Sequence, residues 1–309
     1  MCLIEKTYQV RVGQKQTSTQ VLSILPKGGI LEKLLIFIPG NPGIIHFYRP
    51  FLYDILSRSC GRVGVLGLSQ AGHCGSCSVE EVSLEAQIDH KVNFFNLVLS
   101  HPTSLGLPPN SVKQLVVLSH SLGSYLSFKS LARVPDLKVF KLIGLFPTIQ
   151  HLRIGIPLAI RLSARPILRQ GLAGLVHALP KKVRESILKW YCGQSEEVKY
   201  LLEDNIHQFR LINNVLSLAW DEIKFIRKID DECHQFLNYH SDKISLIFSH
   251  KDPYVPLHFC QQMQETYPDI DIDLASEEVP HDFVFDHNKI VAAQVAEKLE
   301  FLKLGEKIP

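Results

Sequence analysis

The chain has 309 residues, 46% of them hydrophobic and 21% charged, which supplies a buried core and excludes an intrinsically disordered protein. Its 33 Lys and Arg nearly balance 31 Asp and Glu, so a net charge of +2 gives no general drive toward nucleic acid. Seven cysteines at irregular spacing suit free thiols better than a disulfide framework, and Glu5 and Lys6 interrupt what would have to be the apolar stretch of a signal peptide. An intracellular protein is expected, and no run reaches the roughly 18 apolar residues that span a bilayer.

Two strands are predicted first, over 6–12 and 19–25, with Lys27-Gly28-Gly29 as the turn after them, and they read as an antiparallel edge. An apolar run at 34–38 stops at Pro39-Gly40-Asn41-Pro42-Gly43, and a helical pattern follows over 47–56. The pattern repeats: strand 62–68, helix 82–99, strand 113–118, helix 122–133, strand 138–145. Such alternation predicts a parallel sheet covered on both faces. From 147 to about 240 the rhythm fails, and helices broken by Pro157, Pro166 and Pro180 take its place. It resumes with strand 243–249, helix 256–267, strand 270–275 and helix 287–303. Cys74 and Cys77 form a C-x-x-C behind His73, but no second Cys/His pair stands at zinc spacing, so a loop with reduced cysteines and no metal is expected there.

Between a buried strand and a helix lies Ser119-His120-Ser121-Leu122-Gly123. In a G-x-S-x-G nucleophile elbow the serine occupies a strained strand-to-helix turn, so the positions two before and two after must be small. Gly123 meets that need, whereas Ser119 must fit a side chain where a hydrogen usually sits. A serine-capped helix start would account for the same residues without chemistry. As an elbow, the segment makes Ser121 the nucleophile and Leu122 N–H the first oxyanion donor, because a helix N-terminus favours developing negative charge. The second donor is expected from the loop after strand 34–38. Pro42 has no N–H, so Asn41 N–H is the candidate and Gly43 the reserve, against the alternative of an ordinary Pro/Gly turn.

The acid and base should follow in the order Ser, Asp, His. Asp252 comes three residues after strand 243–249, while Asp242 precedes that strand and belongs to the wrong end of the sheet. Asp252 would fix the imidazole tautomer, although Asp-Pro is also common turn chemistry. His281, in Val279-Pro280-His281-Asp282-Phe283, is the expected base; His287 reads as part of the last helix and His250 as a substrate contact or an exposed side chain of the acid loop. His120 should point away from Ser121. The fold expected is therefore the α/β-hydrolase fold, a mostly parallel central sheet flanked by helices. Residues 1–146 and 241–309 form the core, and 147–240 a helical cap insertion.

Ile38-Pro39-Gly40-Asn41-Pro42-Gly43, with His46-Phe47-Tyr48 close behind and then the Ser119 to Gly123 elbow, resembles the lipid droplet-associated hydrolases, a likeness that extends over essentially the whole chain. The resemblance implies a serine hydrolase at lipid droplets and the cytosolic face of the endoplasmic reticulum, with a role in cholesterol and neutral lipid homeostasis. Its substrate would be a lipid ester such as a sterol ester. No metal or organic cofactor is needed, and no nucleic acid partner is expected. A droplet-surface binding or scaffolding protein with the hydrolase fold and little turnover is the alternative, and thioester hydrolysis or acyl transfer would use the same triad.

Residues 151–180 contain no acid, and Arg153, Arg161, Arg165 and Arg169 interleave with Ile154, Ile156, Leu158, Ile160, Leu162, Ile167 and Leu168. This suits a surface in a phospholipid headgroup layer, with Ile154, Ile156, Leu158, Ile160 and Leu162 as lipid contacts. A cap packed over an acyl pocket explains it as well, because the apolar residues surround the helix instead of forming a stripe.

Overall fold

Eight strands form one sheet in the computed structural model: β1 (Cys2–Val12), β2 (Lys15–Leu25), β3 (Leu31–Ile38), β4 (Val63–Leu68), β5 (Val112–His120), β6 (Val139–Leu145), β7 (Ile244–Phe248) and β8 (Asp271–Leu274). The structure describes residues 2–12, 15–26, 31–59, 61, 63–73, 82–107, 112–184, 186 and 205–300. The strand order is β1-β2-β4-β3-β5-β6-β7-β8. β1 and β2 pair antiparallel, as do β2 and β4, and every other neighbouring pair is parallel. The Lys27-Gly28-Gly29 turn and the Cys74 and Cys77 pair lie outside the described residues.

Period-two alternation on buried strands builds two cores, one on each face of the sheet. Leu34, Ile36 and Val117 face α2 (Leu84–Ser100) and α3 (Leu122–Ala132), meeting Phe94, Phe95, Leu126 and Phe128. Leu35, Phe37, Val116 and Leu118 belong to the opposite cluster with Phe51, Leu52 and Ile55 of α1 (Arg49–Ser57). Val291, Ala292 and Val295 of the C-terminal helix 288–298 complete that layer. Local chemistry starts these helices: Pro50 stands in the first turn of α1, and Ser83 caps α2 by accepting from Ala86 N.

The cap leaves the sheet after β6. It comprises α4 (Leu152–Gly155), α5 (Leu158–Ser163), α6 (Pro166–Ala178) and the long α7 (Asn205–Phe225). The C-terminal end of the 147–240 segment packs against α3. The next helix, α8 (Asp231–Tyr239), stacks Phe236 on Phe128 with ring centroids 5.8 Å apart, and Lys129 Nζ of α3 lies 3.0 Å from Asp230 at its N-cap. Burial of its apolar face against α3 places α8 in the layer that covers the sheet. Beyond β7 come α9 (Leu257–Thr266), β8 and α10 (Asn288–Lys298). Among the described residues, no helix is long and apolar enough to cross a membrane.

Candidate active site

Ser121 follows β5 as the N-cap of α3, with φ 53° and ψ −124°, a backbone conformation that L-residues rarely adopt and that the neighbours must hold in place. They do so by close approach. A side chain at Gly123 would drive into the carbonyl oxygens of Ile38 and Pro39, and a Cβ at Gly40 would lie 2.9 Å from Ser121 Cβ. Strand end, the Pro39–Gly43 loop and helix start are thus pressed together where only glycine fits. Ser119 is accommodated because it pairs with Gly144 across β5 and β6. Its hydroxyl lies 3.1 Å from Ser124 Oγ and 3.3 Å from the Ile143 carbonyl, so the buried polar group is satisfied.

Asp252 and His281 arrive from loops after β7 and β8. His281 Nδ1 stands 2.6 Å from Asp252 Oδ2, and His281 Nε2 stands 2.9 Å from Ser121 Oγ. Asp252 Oδ1 accepts from the backbone N–H of Tyr254 and Val255, at 2.8 and 2.9 Å, so the carboxylate is held as an acceptor on both oxygens. An acceptor at Nδ1 requires the imidazole proton there, which leaves Nε2 bare to accept from the Ser121 hydroxyl. The two loops are stitched together: Lys251 bridges to Pro280, and Ser249 Oγ donates to the Val279 carbonyl. Asp242 lies in a short 3-10 turn before β7, at the far end of that strand; His250 is exposed, and His287 precedes α10.

His120, beside Ser121, turns away from it into a buried hydrogen-bonded chain. Its Nε2 lies 3.0 Å from the His281 carbonyl, which only accepts, so the proton sits on Nε2 and Nδ1 accepts from the Tyr48 hydroxyl at 2.7 Å. Tyr48 in turn accepts from Gly40 N–H at 3.3 Å. Burial holds the His120 imidazole far below its usual range and the Tyr48 phenol above its own, so both stay neutral. The chain ties the histidine loop, the elbow and the oxyanion loop together. The sequence marked Tyr48 only as part of a motif.

The Pro39–Gly43 loop is also held by a buried polar cluster. Gln70 Nε2 donates to the Pro39 carbonyl at 2.7 Å, and Lys91 Nζ reaches Gln70 Oε1, Gln87 Oε1 and His90 Nδ1 at 2.5, 3.3 and 2.8 Å. Lys91 is fully buried, and desolvation drives its pKa well below that of a free lysine. Asn41 lines the same cavity as Ser121 and His281, its amide nitrogen donating to the Val215 carbonyl and to Glu222 of α7. Leu122 is buried as the first residue of α3, whose N-terminus carries no side-chain cap.

Core and cap enclose a cavity of about 830 Å³ that reaches Ser121 and His281. That is toward the upper end of the roughly 300–1,000 Å³ typical of small-molecule sites. Its walls are mostly apolar: Ile44, Phe47, Val284 and Phe285 from the core, with Leu152, Leu172, Val176 and Leu211 from the cap. The Thr148 hydroxyl is buried there with no hydrogen-bond partner among the described residues, and Thr148 N–H donates to the Ser121 carbonyl at 3.3 Å.

The five apolar residues assigned to lipid contact separate. Ile156 is buried and lines the cavity together with the partly buried Ile160. Leu158 and Leu162 are exposed, as are Ile167, Leu168 and Leu175 on α6. The side chain of Ile154 lies outside the described residues.

Known proteins match this architecture. The yeast peroxisomal alpha-beta-hydrolase Lpx1 (Saccharomyces cerevisiae) superposes with a TM-score of 0.68 at 12% identity, covering all of this chain and 91% of that one, which establishes the α/β-hydrolase fold. The lipid droplet-associated hydrolase of Dictyostelium discoideum is 32% identical, with 93% of each chain covered. The human protein of that name is 29% identical over 87% of this chain and 85% of its own. The family model for lipid-droplet associated hydrolases matches residues 31–284, and the chain belongs to that family.

Proposed function

We propose that this protein is a serine hydrolase of lipid esters, acting at the lipid droplet surface through an acyl-enzyme on Ser121 Oγ. The observation that carries the reading is the hydrogen-bonded run from Asp252 through His281 to Ser121, at 2.6 and 2.9 Å, opening into an apolar cavity. His281 Nε2 takes the Ser121 proton as Oγ attacks the ester carbonyl, and Asp252 stabilises the imidazolium. The N–H groups of Leu122 and Asn41 receive the oxyanion, a contribution worth about 10²–10³ in rate for each such donor. The imidazolium then protonates the departing alkoxide, and a water activated by the same nitrogen releases the acid and restores Ser121.

The apolar walls suit a long acyl chain or a sterol, and the only chemistry required is acyl transfer through these side chains, with neither metal nor organic cofactor. The exposed Leu158, Leu162, Ile167, Leu168 and Leu175 stand on the cap with Arg161 and Arg165, a pattern suited to a phospholipid monolayer. We assign these to the droplet surface and the cytosolic face of the endoplasmic reticulum, consistent with the name that the relatives carry. Turnover there would serve cholesterol and neutral lipid homeostasis.

Labelling with a fluorophosphonate probe tests the nucleophile. Wild type should be labelled and Ser121→Ala should not; folded wild type that resists the probe would instead support a scaffolding protein with little turnover. A panel of sterol, acylglycerol and thioester substrates then identifies the lipid class.

A further inference from the structure

Glu222 is a buried acid in the wall of an otherwise apolar cavity, and it stands on the cap, not on the core. Its Oε1 accepts from Asn41 Nδ2 at 2.9 Å, and the same nitrogen donates to the Val215 carbonyl, two helical turns back along α7, at 3.0 Å. Because a backbone carbonyl can only accept, the orientation of the Asn41 amide is settled: its nitrogen faces α7. The cap helix therefore grips the side chain of the residue whose backbone N–H would receive the oxyanion. The neighbours of Asn41 offer no substitute, since Pro42 has no N–H and Gly40 N–H is given to Tyr48.

We infer that Glu222 is a positioning residue that, through Asn41, locks the oxyanion donor to the cap, so the oxyanion hole is complete only while α7 is seated on the core. The inference rests on the serine hydrolase reading above. Two further bonds seat α7: Asn214 Nδ2 donates to the Gly72 carbonyl at 2.9 Å, and Asp221 Oδ2 accepts from Leu84 N at 3.0 Å. α6 and α5 pack on α7, which joins the exposed apolar face of the cap to this latch. Desolvation, with a smaller contribution from Asp221, pushes the Glu222 carboxyl up to about 8 against the lowering effect of the Asn41 bond. An uncharged acid is what the site needs, because a carboxylate would oppose the negative charge that develops on the substrate oxygen.

The test is turnover of p-nitrophenyl acetate and p-nitrophenyl laurate by full-length Glu222→Leu, Glu222→Gln, Asn41→Ala and the Asn41→Ala/Glu222→Leu double variant. A displaced oxyanion donor predicts a fall in kcat of about 10- to 100-fold on both esters, with KM changed less than about threefold. Glu222→Gln, which keeps the accepting oxygen, should rescue most of the loss. The double variant should be no worse than the poorer single one, because both break the same latch. A loss confined to the laurate would make Glu222 a substrate contact and overturn the inference, as would additive losses or an unchanged kcat in folded Glu222→Leu. Should Glu222→Leu fail to fold, Asn41→Ala against Glu222→Gln applies the same criterion. Fluorophosphonate labelling at Ser121 separates the two levels: unlabelled wild type sinks the serine mechanism, whereas labelled wild type with insensitive Glu222 variants sinks only the latch.

Discussion

His281 Nε2 lies 2.9 Å from Ser121 Oγ across a sequence separation of 160 residues. The contact exists because β5 and β8 end on the same edge of the sheet, and because Ser249, Lys251 and Asp252 hold the histidine loop in place. If it is catalytic, Ser121→Ala and His281→Ala should each lower kcat by about 10⁴-fold or more, leaving the rate that binding and the oxyanion hole supply. Asp252→Asn should be nearly as severe, since an amide at that position no longer selects the Nδ1–H tautomer. Steady-state hydrolysis of a soluble ester measures all three, and a loss below tenfold in any folded variant would contradict its role.

Gly123→Ala should be among the most disruptive single-methyl changes available. The added Cβ meets backbone oxygens of Ile38 and Pro39, which cannot rotate away as a flexible side chain would. A destabilisation of about 3 kcal/mol or more is expected, or failure to fold. Ser119→Gly removes only a satisfied hydroxyl and should stay within about 1.5 kcal/mol of wild type. Urea titration of the two variants gives the comparison; similar midpoints would refute it.

Glu222 gives stability a pH dependence of definite sign. Its carboxyl keeps its proton in the folded protein up to about pH 8 but loses it near 4.5 when unfolded. Between those values the native state binds more protons than the unfolded one, so this group lowers stability as pH rises through the window and adds no slope outside it. Glu222→Gln should therefore melt higher than wild type, with an advantage that grows from pH 5 to pH 8 and reaches a few kcal/mol in order of magnitude. Parallel curves of Tm against pH would show that the acid is not desolvated.

The cap should divide its labour by helix face. Aspartate at Leu158, Leu162 and Ile167, all exposed, is expected to reduce flotation with phospholipid-coated triacylglycerol droplets by at least about tenfold, since inserting a large apolar side chain contributes about 1.5–3 kcal/mol. Ile156→Asp should instead cut soluble-ester turnover, because that side chain faces the cavity. Undiminished flotation of the folded triple variant would remove these residues from the lipid contact.

Much of this molecule is written locally. Apolar runs such as Leu34, Leu35, Ile36 and Phe37, alternating with helical patterns, are enough to specify a parallel sheet buried on both faces, because strand and helix periods are properties of neighbouring residues. The loops that hold Asn41, Ser121, Asp252 and His281 could be placed in the same way, each by the strand that precedes it.

What a helix face touches is a different kind of fact. Ile156 and Leu158 are both large and apolar, yet Ile156, at the C-cap of α4, is buried in the cleft wall while Leu158, the first residue of α5, is exposed, because each answers to the segments packed around it and not to its own residue type. For the same reason α8 follows the cap helices in the chain yet stacks Phe236 on Phe128 of α3. Ser119 departed from the usual elbow with no visible compensation, since Gly144 and Ser124, which make room for it, belong to other elements. Glu222, next to Asp221 on α7, carries no local mark of its burial. The sequence by itself determined which segments form the sheet and which loops carry Ser121, Asp252 and His281; the distances among them, the sorting of cap residues between pocket and surface, and the burial of Glu222 against Asn41 were decided by tertiary packing, because each depends on atoms contributed by segments remote in the chain.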